Sequence, residues 1–248
     1  RGPTGIWTQE ARERAASCAP RTPKRPKLVD VETPAAAGSA AGAAGSIASA
    51  SAAGPSTEPR RGVPTLTHLA LAELMRRGIL KCVVTQNVDA LELHAGCPRE
   101  RLSMIHGCAL EERCPACGRR HLRDSDVGVT NGKPTGRTCE AAGCGGALEA
   151  TLLDWEDEWN EDEAELANEA TARADYALVL GTSLRVEPAA SLPLRSAKFG
   201  IVNLQETPKD RAPKCEVIVR AKTDLVMEAL MRQVCRVELS AESEWVPL

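Results

Sequence analysis

From residue 65 onward the apolar positions alternate between a helical period and short unbroken runs. Residues 65–77 put Leu66, Leu69, Ala70, Leu74 and Met75 at helical spacing, and Gly78 follows as a stop. Residues 79–85 (ILKCVVT) form a β-branched apolar run of the kind that makes a buried parallel strand. The same pairing recurs later in the chain. Residues 164–174 predict a helix that leads into a strand over 176–181. Further strands are expected at 200–205 and 216–219, and an amphipathic helix at 224–235. Strands alternating with helices predict an α/β fold with a parallel sheet and crossover connections. Ligands bind beyond the carboxyl ends of such strands. Three polar clusters fall there: Gln86-Asn87-Val88-Asp89, Gly181-Thr182-Ser183 and Asn203-Leu204-Gln205.

Two stretches break this pattern. Residues 9–62 are basic and proline-rich, then almost wholly Ala, Gly, Ser and Pro, which predicts a disordered low-complexity insertion. Residues 110–150 hold seven glycines and little periodicity, so cysteine chemistry is expected to organise them. The 248 residues suffice for a real core, and with six aromatic residues that core must be aliphatic. No apolar run approaches the roughly 20 residues that cross a bilayer, and the opening residues lack a signal-peptide pattern. The net charge is −3, yet eight of the twelve residues 154–165 are acidic. That balance argues against a dedicated nucleic-acid binder. The acidic run is read as a solvated face, or as a rim that attracts lysine-rich substrates.

Four of the ten cysteines form two tight pairs, Cys114-Pro-Ala-Cys117 and Cys139 with Cys144. Four thiolates suit one tetrahedral zinc at about 2.3 Å and leave no open position, so the metal would be structural. The alternative is a redox Cys-x-x-Cys pair. The remaining cysteines are scattered, and a reducing compartment is expected.

Taken singly, the other candidates are ambiguous. His106, between Ile105 and Gly107, is either a packed core residue or a catalyst. Asn87 and Asp89 serve either a ligand crevice or a hydrogen-bonded turn. Gly181-Thr182-Ser183 fits a phosphate contact or a tight strand-to-loop turn.

In order along the chain, Gln86-Asn87-Val88-Asp89, Ile105-His106-Gly107, the two cysteine pairs, Gly181-Thr182-Ser183-Leu184 and Asn203-Leu204-Gln205 resemble the sirtuin family. Residues 151–157 and 203–210 resemble its nuclear, class IV branch. The resemblance implies a doubly wound, Rossmann-like NAD-binding domain (63–107 and 150–236) with an inserted small zinc-ribbon domain (108–149) and a tail (237–248). Residues 1–8 would end the cofactor-binding loop. The implied activity is NAD-dependent deacylation of protein lysines, with release of nicotinamide and acyl transfer to ADP-ribose. His106 would be the general base that activates a ribose hydroxyl, with Asn87 and Asp89 also catalytic. Gln86, Asn87 and Asp89 would hold the nicotinamide ribose. Gly181, Thr182 and Ser183 would meet phosphate and ribose, and Asn203, Leu204 and Gln205 the adenosine side. Arg1, Trp7 and Thr223 also match cofactor-binding positions, and Trp155 would line the acyl-lysine channel. Cys114, Cys117, Cys139 and Cys144 would bind one zinc. Acylated lysines on proteins, with histones as a candidate, would be the substrates, with chromatin association, a nuclear location and no membrane contact.

The sequence also departs from the family. The first strand and its glycine-rich phosphate loop would precede Arg1, so an N-terminally truncated sheet lacking that strand is expected. Ala90 stands where the family usually has Gly, and Glu92 where it usually has His. A silent NAD- or ADP-ribose-binding or chromatin-interaction module is the competing reading, and mono-ADP-ribosyl transfer a third.

Overall fold

The helical repeat after Thr65 forms α1 (Leu66–Arg76), closed by Gly78 at φ +70°. Its first turn is pinned from a distance: the Asp224 carboxylate accepts the Thr67 amide (2.9 Å) and the Thr65 hydroxyl (3.0 Å). The computed structural model describes residues 62–240, with the backbone of two outlying strands, β1 (Lys27–Val29) and β12 (Trp245–Pro247).

The chain continues through β2 (Val83–Thr85), the single-turn α2 (Leu91–His94) and β3 (Leu102–Met104). A small antiparallel sheet of β4 (Glu111–Arg113), β5 (Arg120–Leu122), β6 (Pro134–Thr138) and β7 (Ala147–Ala150) follows, in the order β5-β4-β7-β6. Then come α3 (Glu161–Arg173), β8 (Tyr176–Leu180), a 3₁₀ turn at Ala189–Arg195, β9 (Lys198–Val202), β10 (Cys215–Val219), α4 (Thr223–Val234) and β11 (Val237–Leu239). β8, β9 and β10 run parallel in sequence order, and β2 pairs in parallel with β3. The fold is therefore Rossmann-like α/β with a small cysteine-bearing module inserted between its parallel strands. Among the described residues the parallel strands form two groups, because no ladder joins β2 to β8.

α1 and α4 bury Ala70, Leu74, Met227 and Met231 against each other, with Cys235 and Val237 at the end of the cluster. Met227 and Met231 are fully buried. Burial of each side chain stabilises the pair by about 1.5–3 kcal/mol. Phe199, the one phenylalanine, is buried among Val179, Ile201 and Ile218 inside the parallel sheet. No helix among the described residues is long and apolar enough to cross a membrane.

Several elements differ from the pattern reading. The run 79–85 is strand only from Val83, because the amides of Ile79 and Leu80 turn back to the Leu74 carbonyl (3.0 and 3.1 Å). The expected strand 200–205 begins earlier and ends at Val202, where Asn203 Nδ2 bonds to the Gln205 carbonyl (2.9 Å) and starts a turn. Within 9–62, where an insertion without structure was expected, Lys27–Val29 pairs in parallel with β10 and occupies that strand's free edge. The rest of that stretch up to residue 61 lies outside the described residues.

Candidate functional site

The carboxyl ends of the parallel strands converge. Gly181 N donates to the Val202 carbonyl (2.9 Å) and Asn203 N to the Val219 carbonyl (3.1 Å), which sets the loops after β8 and β9 side by side. Gly181 has φ +60°, and a Cβ there would meet Thr223 Cγ2 at 3.6 Å, so Thr223 closes the same corner. Gln86 Nε2 donates to Thr182 Oγ1 (3.1 Å) across the gap between the two strand groups. Gln86, Gly181, Thr182, Asn203 and Thr223 thus gather on one rim. Asn87, Asp89, Ser183, Leu204 and Gln205 are exposed beside them. Asp89 Oδ1 accepts the Leu91 amide (3.2 Å), and Asn87 N donates to Thr85 Oγ1 (3.1 Å), so the turn chemistry expected of these residues is present too. Arg1 and Trp7 lie outside the described residues.

His106 lies two residues past the end of β3 and sits half-buried at the same end of the sheet. Burial lowers its pKa from the ordinary 6.5, so the neutral, proton-accepting imidazole prevails at neutral pH. Three contacts hold it. Its carbonyl accepts the Leu153 amide (3.1 Å). Gly107, at φ +73°, lets the chain pass so close to residue 151 that a Cβ would stand 1.9 Å from the Thr151 carbonyl oxygen. The Trp159 ring meets the imidazole edge-on, with centroids 6.4 Å apart at 77°. Trp159 is a contact that sequence reasoning missed. Its presence in an acidic run was visible, but its reach across 53 positions was not. Trp155, on the same loop, is 96% exposed.

The strand that leads to His106 meets a network of charges centred on two buried acids, Glu111 and Glu163. Glu163 is 2% exposed, and its carboxylate accepts the Met104 amide (2.8 Å) and bonds to Arg99 and Arg120. Arg99 also reaches Glu111 (2.9 Å), and Arg120 reaches Glu111 and Asp162. Burial alone would lower the Arg99 pKa, but Glu111 and Glu163 outweigh it and hold it above its ordinary value. These pairs tie β4 and β5 of the small module to α3 and, through the Met104 amide, to the strand that leads to His106. The acidic run is therefore not solvated throughout: Asp154 to Glu158 are exposed, whereas Glu163 turns inward.

Two of the family departures have structural consequences. Ala90 is fully buried at φ 60° and ψ 19°, a left-handed conformation that glycine adopts without steric cost. Glu92 is 3% exposed, and its Oε2 has no hydrogen-bond partner among the described residues.

The Sγ atoms of Cys114, Cys117, Cys139 and Cys144 all lie within 4.8 Å of one another. The Cys114–Cys144 and Cys117–Cys139 separations are both 3.6 Å. A tetrahedron with Zn–S of about 2.3 Å has an edge of about 3.8 Å, whereas a disulfide needs about 2.05 Å. The all-thiol set therefore fits one zinc ion and no disulfide. Burial raises the Cys114 pKa, but the Cys117 amide, the Cys144 thiol and the Ala116 amide outweigh it and bring the thiol to about 7. Sequence reasoning also missed His121, whose Nε2 lies 3.4 Å from Cys139 Sγ.

Comparison with known proteins places the chain in a family. A family model described as "Sir2 family" matches residues 52–188. NAD-dependent protein deacetylase SRT1 of Arabidopsis thaliana is 46% identical over 178 residues, which covers 70% of this chain and 37% of that protein. NAD-dependent protein deacetylase sirtuin-7 of Homo sapiens is 36% identical over 197 residues, covering 73% of this chain and 48% of that one. The chain thus spans less than half the length of these relatives. Among solved structures, a Sir2 homologue–NAD complex superposes with a TM-score of 0.54 at 32% identity, covering 70% of this chain and 65% of that one. A Sir2–p53 peptide–NAD+ complex gives 0.52 at 27% identity, covering 69% and 70%. With the order of its strand-end clusters, its inserted four-cysteine module and the matched family model in agreement, this chain belongs to the Sir2 family.

Proposed function

We propose that this chain is the catalytic part of an NAD-dependent protein-lysine deacylase, with His106 as its general base. One observation carries the reading. A half-buried imidazole held neutral by burial stands at the strand-end rim where Gln86, Thr182 and Asn203 converge. NAD, when bound, supplies an electrophilic ribose carbon and an acyl-accepting hydroxyl. On this reading Gln86, Asn87 and Asp89 orient the nicotinamide ribose, and His106 Nδ1 or Nε2 takes the proton of the ribose hydroxyl. Gly181, Thr182 and Ser183 meet phosphate and ribose, and Asn203, Leu204, Gln205 and Thr223 the adenosine side. Arg1 and Trp7 complete the cofactor-binding set.

The acyl-lysine enters past Trp155, whose exposure leaves a large apolar ring free to cover an alkyl chain. The acylated lysine belongs to a protein, with histone tails and chromatin as the class of target and the nucleus as the compartment. The four-cysteine zinc takes no part in the chemistry, because four thiolates leave no open position. Nicotinamide release from NAD with an acetylated histone-tail peptide tests the reading in the full-length gene product. Turnover that His106→Ala abolishes supports it. Equal turnover by wild type and His106→Ala removes His106 as the base, and no release by either overturns the reading in favour of a silent binding module.

A further inference from the structure

Arg220, the first residue after β10, carries a side chain that is 18% exposed, and three acceptors surround its guanidinium. One terminal nitrogen donates to the carbonyl oxygens of both Asn203 (3.2 Å) and Gln205 (3.0 Å), and the other bonds to the Asp210 carboxylate. The grip continues beyond those contacts. Asp210 Oδ1 accepts the Thr207 amide (3.2 Å) and hydroxyl (2.6 Å), and the Gln205 carbonyl also accepts Asn203 Nδ2 (2.9 Å). The turn from 203 to 210 therefore has one cation at its centre, and that cation is supplied by the neighbouring strand. Leu204, between the two gripped carbonyls, is 63% exposed.

We propose that Arg220 is a positioning residue that presets the 203–210 turn for the dinucleotide. This role rests on the NAD reading above. The guanidinium is neutralised by Asp210 and both of its terminal nitrogens already donate to the protein, so it acts through the backbone rather than by touching the ligand. A turn already ordered before binding loses less conformational freedom when the ligand arrives, and that difference appears as affinity. A planar fork can bridge two carbonyls and a carboxylate at once, whereas a lysine ammonium reproduces the charge without the fork.

The test compares wild type, Arg220→Gln and Arg220→Lys in the full chain, each checked for zinc content and melting temperature. Binding of ADP-ribose is measured by calorimetry, NAD turnover by nicotinamide release, and exchange of the Thr207 amide by NMR. Arg220→Gln should weaken ADP-ribose binding about tenfold and raise the KM for NAD by a similar factor, with kcat at saturating NAD within twofold of wild type. Thr207 exchange should accelerate by about the same factor. Arg220→Lys should fall between the two. Unchanged ADP-ribose affinity in folded Arg220→Gln overturns the role, as does a loss confined to kcat. If wild type itself fails to bind ADP-ribose, the NAD reading falls and this role falls with it, a result distinct from weakening seen in the variant alone.

Discussion

Replacing Glu163 should destabilise the protein in two separable steps. The Glu163 carboxylate is 2% exposed and faces Arg99 and Arg120, whose side chains are 26% and 19% exposed. Removing one partner of a buried ion pair costs about 3–5 kcal/mol when the other charge is left alone. Here both arginines keep Glu111, and Arg120 keeps Asp162, so the expected loss for Glu163→Gln falls to about 2 kcal/mol. The glutamine amide oxygen still accepts the Met104 amide. Glu163→Ala also orphans that buried amide, which adds about 1–3 kcal/mol and brings the total to about 4 kcal/mol. Urea unfolding with zinc present, followed by tryptophan fluorescence, measures both. The glutamine variant should melt about 4–8 °C lower, given about 2–4 °C per kcal/mol for a domain of this size. Because Met104 lies two residues before His106, the alanine variant should also lose turnover. A Glu163→Gln variant within about 0.5 kcal/mol of wild type would refute the view that this network holds the small module to the strand that leads to His106.

Three further outcomes follow from the geometry. The folded His106 pKa is depressed below 6.5, so its stabilising contribution is complete above pH 6.5 and is lost as pH falls through the folded value. A pH profile of kcat/KM should accordingly have its acid limb centred below 6.5, and an acid limb centred above 6.5 would contradict the assignment. Cys114→Ser and Cys139→Ser should each lose the single zinc and unfold residues 108–149, read by metal analysis and hydrogen exchange, whereas full zinc content in both would exclude the four-cysteine site. Gly107→Ala should cost at least about 3 kcal/mol, since it combines a left-handed backbone with a carbonyl oxygen 1.9 Å from the new methyl; thermal melting checks it, and a wild-type midpoint would show that the 105–107 turn can shift freely.

What could be read from one sequence divides along the range of the interaction. The helices over 65–77 and 224–235 were legible because their period is local, and the cysteine pairs because metal geometry restricts spacing. The strand-end clusters were legible because a parallel sheet presents its ligands there. β3 was not, since Leu-Ser-Met is three residues long, and Ser103 is buried only because its hydroxyl meets the Glu163 carbonyl (2.7 Å) 60 positions away. Glu163 itself looked like part of a solvated acidic face until Arg99 and Arg120 were brought to it. Trp159 beside His106 and Arg220 beside Asn203 belong to the same class, because their partners are chosen by topology rather than by neighbouring sequence.

The small module explains why so much of this protein's order is electrostatic. Its buried apolar cluster consists of Leu148 with Cys114 and Cys139, far too little area to fold forty residues. Two things replace the missing core: thiolates that meet only around a metal, and the adjacent Glu111 and Glu112, which point in different directions. Glu112, fully buried, takes Arg123 and Arg137 within the module, whereas Glu111 takes Arg120 from the module and Arg99 from outside it. β4 is therefore the strand through which the metal-organised half and the sheet-organised half share one set of charges. The same charges end on Glu163 and Met104, two residues from His106. A zinc at the four cysteines would thus bear on His106, the proposed base, without touching it, because Glu163, which accepts the Met104 amide two residues away, shares Arg99 and Arg120 with Glu111 of the module.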